Sequence, residues 1–198
     1  MRLTYQNKLL LFSQLIRIIT TLLIVFFFKI PFFLKILLII LSDTFDCSVP
    51  HFLFNKWSNC RKDFYQYTDK ITDIICYSIL LFYTLKKSEI SIHYKKIIII
   101  LFLFRLIGTS LFIINNNRKF LFYFPNFYLE ITLGLAVINY LPILNNFKVI
   151  IISLIIIYKL FQEYLLHVDR RIYNKIGDYI KLLIHKNSKL KNFKQNSK

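Results

Sequence analysis

The chain alternates between long apolar runs and short polar breaks. The runs cover about residues 9–28, 32–46, 65–85, 97–114, 120–141 and 148–166. Each is close to the ~20 residues that carry a helix across a hydrocarbon core, where only an element that satisfies its own backbone polar groups is tolerated. The pattern predicts an all-α, polytopic membrane protein of six transmembrane helices. The Lys29-Ile30-Pro31 break is so short that the second helix must return antiparallel to the first. Pro125 falls near the first turn of the fifth run, where proline is compatible with a continuous helix. After residue 168 the pattern changes. Ile172, Ile176, Ile180 and Leu183 recur at helical spacing, with Arg171, Lys175 and Lys186 elsewhere on the wheel. That predicts an amphipathic helix lying in the membrane interface, followed by a disordered end. The expected division is a membrane domain over 1–168 and a basic tail over 169–198, with no internal repeat.

Composition supports this reading and adds a charge. The chain is 56% hydrophobic, has a mean hydropathy of +0.51, and contains only 3 Gly and 4 Pro, too few for a turn-rich β protein. The formal charge of +17 calls for an anionic partner. Because the lysines sit in the loops and tail of a membrane protein, the expected partner is a lipid head group and not nucleic acid. Six spans put both termini on one side, and the excess of Lys and Arg there makes that side cytosolic. The first run is too long for a cleavable signal and no small-residue cleavage site follows it. Cys47, Cys60 and Cys76 form no CxxC pair, and an odd count fits a reduced environment. His51, His93, His167 and His185 are scattered and read as structural or interfacial.

Charged residues within or beside the apolar runs carry the candidate chemistry. Of 10 acidic residues, four are Asp43, Asp46, Asp69 and Asp73, at the end of the second run and the start of the third. Each pair is spaced to place both carboxylates on one helix face. One aspartate at a helix end is ordinarily a cap or a solvated residue. Four beside a bilayer repel one another unless a cation joins them, and oxygen-only ligands suit Mg²⁺ or Mn²⁺. Arg17, Arg105 and Glu130 lie inside runs. Arg105 reads either as the partner of Glu130 or as a phosphate contact, and Arg17 either as a phosphate contact or as a snorkelling side chain.

These aspartates resemble the signature of the CDP-alcohol phosphotransferases, DxxDGxxAR followed by GxxxDxxxD, which spans the second and third of six helices. Asp43, Asp46, Asp69 and Asp73 match its aspartates one for one. Ser13-Gln14 and Arg17 stand where the family's first helix carries a polar segment and an arginine. Cys47 and Tyr65 occupy the two motif glycines, and the AR pair is not recognisable. Lys56 or Arg61 falls nearest the family arginine, in a loop longer than usual. A tyrosine at position 65 either obstructs cytidine or stacks on it.

The resemblance implies that the aspartates bind two divalent cations, Mg²⁺ or Mn²⁺, and that Asp73 is also the catalytic base. It implies substrate contacts from Arg17, Cys47, Lys56, Arg61, Tyr65 and Arg105. The expected reaction moves a phosphatidyl or phospho-alcohol group from a CDP-linked donor to a small alcohol, releasing CMP. The chain would be embedded in membrane lipid, and homodimers are expected from the resemblance. The alternative is a catalytically degenerate member that binds lipid or a partner. A weaker alternative is a small transporter using the aspartates as an ion path.

Overall fold

The computed structural model describes residues 5–45, 63–87 and 90–167. Among these residues the chain is helical, with no strand. The elements are α1 (Tyr5–Phe26), α2 (Phe32–Phe45), α3 (Asp63–Lys87), α4 (Ile92–Asn115), a short α5 (Lys119–Tyr123), α6 (Phe127–Tyr140), a 3₁₀ segment (Pro142–Phe147) and α7 (Lys148–His167). Four segments are long and apolar enough to cross a membrane: Asn7–Phe26, Ile92–Asn115, Lys119–Tyr140 and Pro142–Leu165. The other two expected spans do not join them. The described part of α2 is 14 residues long, about 21 Å at 1.5 Å per residue, and α3 carries Asp69, Lys70 and Asp73 in its N-terminal half. The expected tail helix and disordered end lie outside the described residues.

The helices are turned inside out relative to those of a water-soluble bundle. On α1, Leu10, Ser13, Gln14, Arg17 and Thr21 share the buried face, whereas Leu11, Phe12, Leu15, Ile19 and Leu22 are exposed. On α7, Lys159 and Glu163 are buried, while Ile150, Leu154, Ile157 and Phe161 are exposed, Ile157 to 64%. Apolar residues facing outward and polar residues facing inward are what a hydrocarbon solvent selects. Lipid gives no reward for burying Leu, and an interior polar group gains a partner there.

α1 packs along α3, and α6 lies at the centre against α2, α4 and α7. Ile24, Val25, Ile36, Ile39, Tyr77, Leu80, Phe102 and Tyr128 form the apolar core between them. At the end away from the aspartates, Lys35 of α2 donates to the Val25 carbonyl at 2.7 Å and sits 4.4 Å from the centroid of the Tyr83 ring. Lys95 of α4 similarly donates to Leu85 O at 3.2 Å. Both lysines satisfy carbonyls left over at the C-terminal ends of helices, where positive charge is also favoured. α4 begins earlier than its apolar run, so Lys95 and Lys96 are helical. It ends on Asn116, whose φ of 50° is the left-handed conformation asparagine tolerates.

The fifth run is not one continuous helix. Between α5 and α6 the chain breaks at Phe124-Pro125-Asn126. Proline excludes the preceding residue from the helical region, and Phe124 takes φ −121°, ψ 68°. The break is built into the packing. Gly108 of α4 leaves room for Phe124, because a Cβ at position 108 would overlap the Phe124 Cβ. The freed Phe124 carbonyl accepts a hydrogen bond from Arg105 Nη1 at 3.1 Å. The Asn126 backbone N–H donates to Glu163 Oε1 at 3.1 Å, and Asn126 Nδ2 donates to the Tyr77 hydroxyl at 2.6 Å.

Candidate metal centre

Arg17 is at the centre of the polar interior. It lies twelve residues into α1, about 18 Å along the axis, and is 2% exposed. Its Nη2 contacts Asp43 Oδ1 at 2.7 Å and Asp73 Oδ1 at 2.6 Å, and its Nη1 contacts Asp69 Oδ1 at 3.2 Å. One guanidinium thus ties α1 to α2 and α3. Its planar fork suits this role, because several N–H groups diverge from one rigid group. Of the two readings of Arg17, the snorkelling side chain is therefore overturned. A guanidinium held by three carboxylates is stabilised where it lies.

The aspartates arrive by the predicted route. Asp43 is on the last turn of described α2, and Asp69 and Asp73 are one turn apart on α3. One oxygen from each lies within 4.8 Å of the others. Asp69 and Asp73 are buried, whereas the Asp43 side chain is 34% exposed and forms the open side of the group. Lys70 Nζ closes the group from α3 itself, 2.6 Å from Asp69 Oδ2 and 2.8 Å from Asp73 Oδ2. Three hard oxygens converging from two helices are the donor type that Mg²⁺ or Mn²⁺ takes, but in this structure they are engaged by Arg17 and Lys70. Asp43, Asp69 and Asp73 are the residues that would hold it. Asp46, Cys47, Lys56 and Arg61 lie outside the described residues.

The other predicted residues fall around this group. Tyr65 is half-buried on α3, one turn N-terminal to Asp69. Arg105 is 2% exposed, and its charge acts on both Lys70 and Asp73 across the α3–α4 interface. Its Nη1 donates to the Phe124 carbonyl, and among the described residues its buried Nε has no hydrogen-bond partner. Of the two readings of Arg105, the pairing with Glu130 is overturned. Glu130 instead meets Lys159 of α7 at 2.6 Å, and Lys159 is also 3.6 Å from Glu163. The helix break causes this. It turns the Phe124 carbonyl towards Arg105, and the first turn of α6 then presents Glu130 to α7.

Sequence reasoning missed four contributors, Lys70, Tyr77, Lys159 and Glu163. Lys70 was visible as the cation between two motif aspartates, three residues before Asp73. Tyr77, one turn below Asp73, links the aspartates to the helix break through Asn126 and accepts from Tyr128 by way of its backbone carbonyl at 3.1 Å. Lys159 and Glu163 are an i,i+4 pair inside an otherwise apolar run, a signal that charge there faces protein. Comparison with protein-family models, curated proteins and solved structures finds no match to the chain.

Proposed function

We propose that the chain is a membrane-embedded phosphotransferase of the CDP-alcohol type. It moves a phosphatidyl or phospho-alcohol group from a CDP-linked donor to a small alcohol, with release of CMP. The observation that carries this reading is the convergence of Asp43, Asp69 and Asp73 around Arg17, on the helix pair that the resemblance specifies. In this reading α2 and α3 complete six spans, the aspartate end faces the cytosol, and residues beyond 168 form an amphipathic helix on the membrane surface.

A bound divalent cation would screen the donor's diphosphate and stabilise the departing CMP. Asp43, Asp69 and Asp73 and, with them, Asp46 would hold it. Arg17 and Arg105 would supply guanidinium groups suited to phosphate oxygens, and Tyr65, one turn before Asp69, would contact the cytidine. Asp73 takes the proton of the acceptor hydroxyl as its oxygen attacks phosphorus. Both Asp73 oxygens carry a basic partner, so this role requires Arg17 or Lys70 to turn towards substrate first.

That engagement also favours a second reading. Aspartates neutralised by Arg17 and Lys70 act as an ion-pair lock between helices, and the chain then binds lipid or a partner without turnover. Purified protein in liposomes, given CDP-diacylglycerol or CDP-choline and a panel of alcohols, separates the two. Metal-dependent CMP release that Asp73→Asn abolishes supports the enzyme. No release with any donor and alcohol supports the lock.

A further inference from the structure

Arg105 is a buried cation without an acid. It is 2% exposed, and among the described residues no carboxylate forms an ion pair with it. The oxygens of Asp69 and Asp73 are held by Arg17 and Lys70 instead. Arg105 Nη1 donates to a neutral carbonyl, that of Phe124, and its buried Nε has no partner. One turn further along α4, Thr109 is 1% exposed, and its hydroxyl is also buried without a partner. Both residues belong to the buried face of α4, so their side chains are neighbours. α3 brings a further donor to this face. Lys95 of α4 donates to Leu85 O of α3 near one end of the pair, and the rings of Tyr67 and Phe112 stack 5.4 Å apart near the other. The two helices therefore run antiparallel. Counting from Tyr67 and Phe112 brings Lys70 level with Thr109, and Asp73 nearly level with Arg105. Lys70 Nζ gives two of its three donors to Asp69 and Asp73.

We propose that Arg105 and Thr109, with Lys70 beside them, form a site for a phosphate-type oxoanion that is held without a metal ion. It rests on the reading above only for Arg105 as a phosphate contact, and it requires neither metal nor turnover. A charge inside a membrane bundle is normally paired, and a carbonyl or a water molecule does not neutralise a guanidinium. An anion does. With Nη1 on the Phe124 carbonyl, the Nε–Nη2 edge of Arg105 remains, and its parallel N–H groups suit two oxygens of one phosphate. The Thr109 hydroxyl can donate to a third oxygen. A tetrahedral oxoanion presents oxygens in several directions and so matches donors from two helices better than a planar carboxylate does. Asp69 and Asp73 do not exclude it, because Arg17 and Lys70 already offset their charge. The phosphate is carried by a lipid head group or by a free phosphate or phosphoester.

The test is stabilisation by phosphate with a chelator present throughout. In one arm the full chain in detergent micelles is titrated with inorganic phosphate, and thermal unfolding is followed at constant ionic strength with chloride as the reference anion. In the other arm the chain sits in phosphatidylcholine vesicles with or without phosphatidic acid. The native chain is expected to unfold at a higher temperature in at least one arm. A response to inorganic phosphate assigns a free phosphate or phosphoester, and a response to phosphatidic acid alone assigns a lipid head group. Arg105→Gln is expected to abolish the response. Thr109→Val, which keeps the side-chain shape, is expected to weaken apparent affinity about tenfold, the worth of one hydrogen bond to a charged group. Should Arg105→Gln not fold, Thr109→Val and Arg105→Lys carry the test, since an ammonium lacks the two-oxygen edge. No stabilisation in either arm, or equal stabilisation of the native chain and the folded variants, overturns the site. Metal-dependent CMP release is read separately, so loss of the anion site leaves the phosphotransferase reading standing, and loss of that reading leaves the anion site standing.

Discussion

Arg17 Nη2 and Asp73 Oδ1 are 2.6 Å apart, although 56 residues separate them in the chain, and both side chains are almost completely buried. This contact joins α1 to α3 in the polar interior. Asp69 is a second partner of the same guanidinium, and Asp43 brings in α2.

Removing Arg17 takes one buried cation from Asp69 and Asp73, which keep Lys70. Breaking a buried pair from one side typically costs about 3–5 kcal/mol. Arg17→Ala is expected to lose stability on that order in detergent unfolding. Arg17→Lys should recover only part, since an ammonium cannot reach three carboxylates in one plane. Unchanged unfolding of Arg17→Ala would show that the contact contributes little.

In the proposed metal-dependent reading, bound metal stabilises the fold by mass action. At a free concentration one hundred times its dissociation constant, Mn²⁺ is expected to add about 2.7 kcal/mol, and chelation should remove that increment. Asp43→Asn should abolish the response while lowering metal-free stability less than Asp73→Asn does, because Asp43 is the exposed member. Thermal unfolding with and without a chelator checks both statements.

Gly108 is expected to be intolerant of any side chain. Even alanine would place its Cβ on that of Phe124, and overpacking of this kind costs about 1–3 kcal/mol. The same shift would pull the Phe124 carbonyl from Arg105. Gly108→Ala should therefore lower the unfolding midpoint. Gly134→Ala meets only the terminal methyl groups of Ile155 and Ile152, which can rotate away, so its loss should be smaller.

Lys159 and Glu130 should be coupled. Lys159→Met leaves Glu130 and Glu163 without their ammonium, and Glu130→Gln removes one of those charges. The double variant is expected to be more stable than the sum of the single losses predicts, with a coupling of about 0.5–3 kcal/mol. Additive losses in a double-mutant cycle of unfolding free energies would show that the 2.6 Å contact is energetically idle.

Apolar run length was legible along the chain because a helix in lipid must be apolar over a fixed number of residues. That requirement marks α1, α4 and α7 without reference to any neighbour. The aspartates were legible for the opposite reason, since four carboxylates beside such runs are costly unless something joins them. Asp43, Asp69 and Asp73 do come together. Pro125 was misread because proline is compatible with a helix start, and only the neighbours of Phe124 show that the chain uses it to break. The partner of Arg105 was misread for the same reason.

The order of helices, their outward apolar faces and the identity of the acidic residues were thus set by local composition and spacing. Tertiary packing alone decided that Arg17 gathers the aspartates, that Lys70 spans two of them, and that Glu130 pairs with α7. A buried charge in a low-dielectric interior is stabilised only by the particular partner that comes within about 3 Å of it. Which partner that is depends on how helices distant in sequence lie against one another.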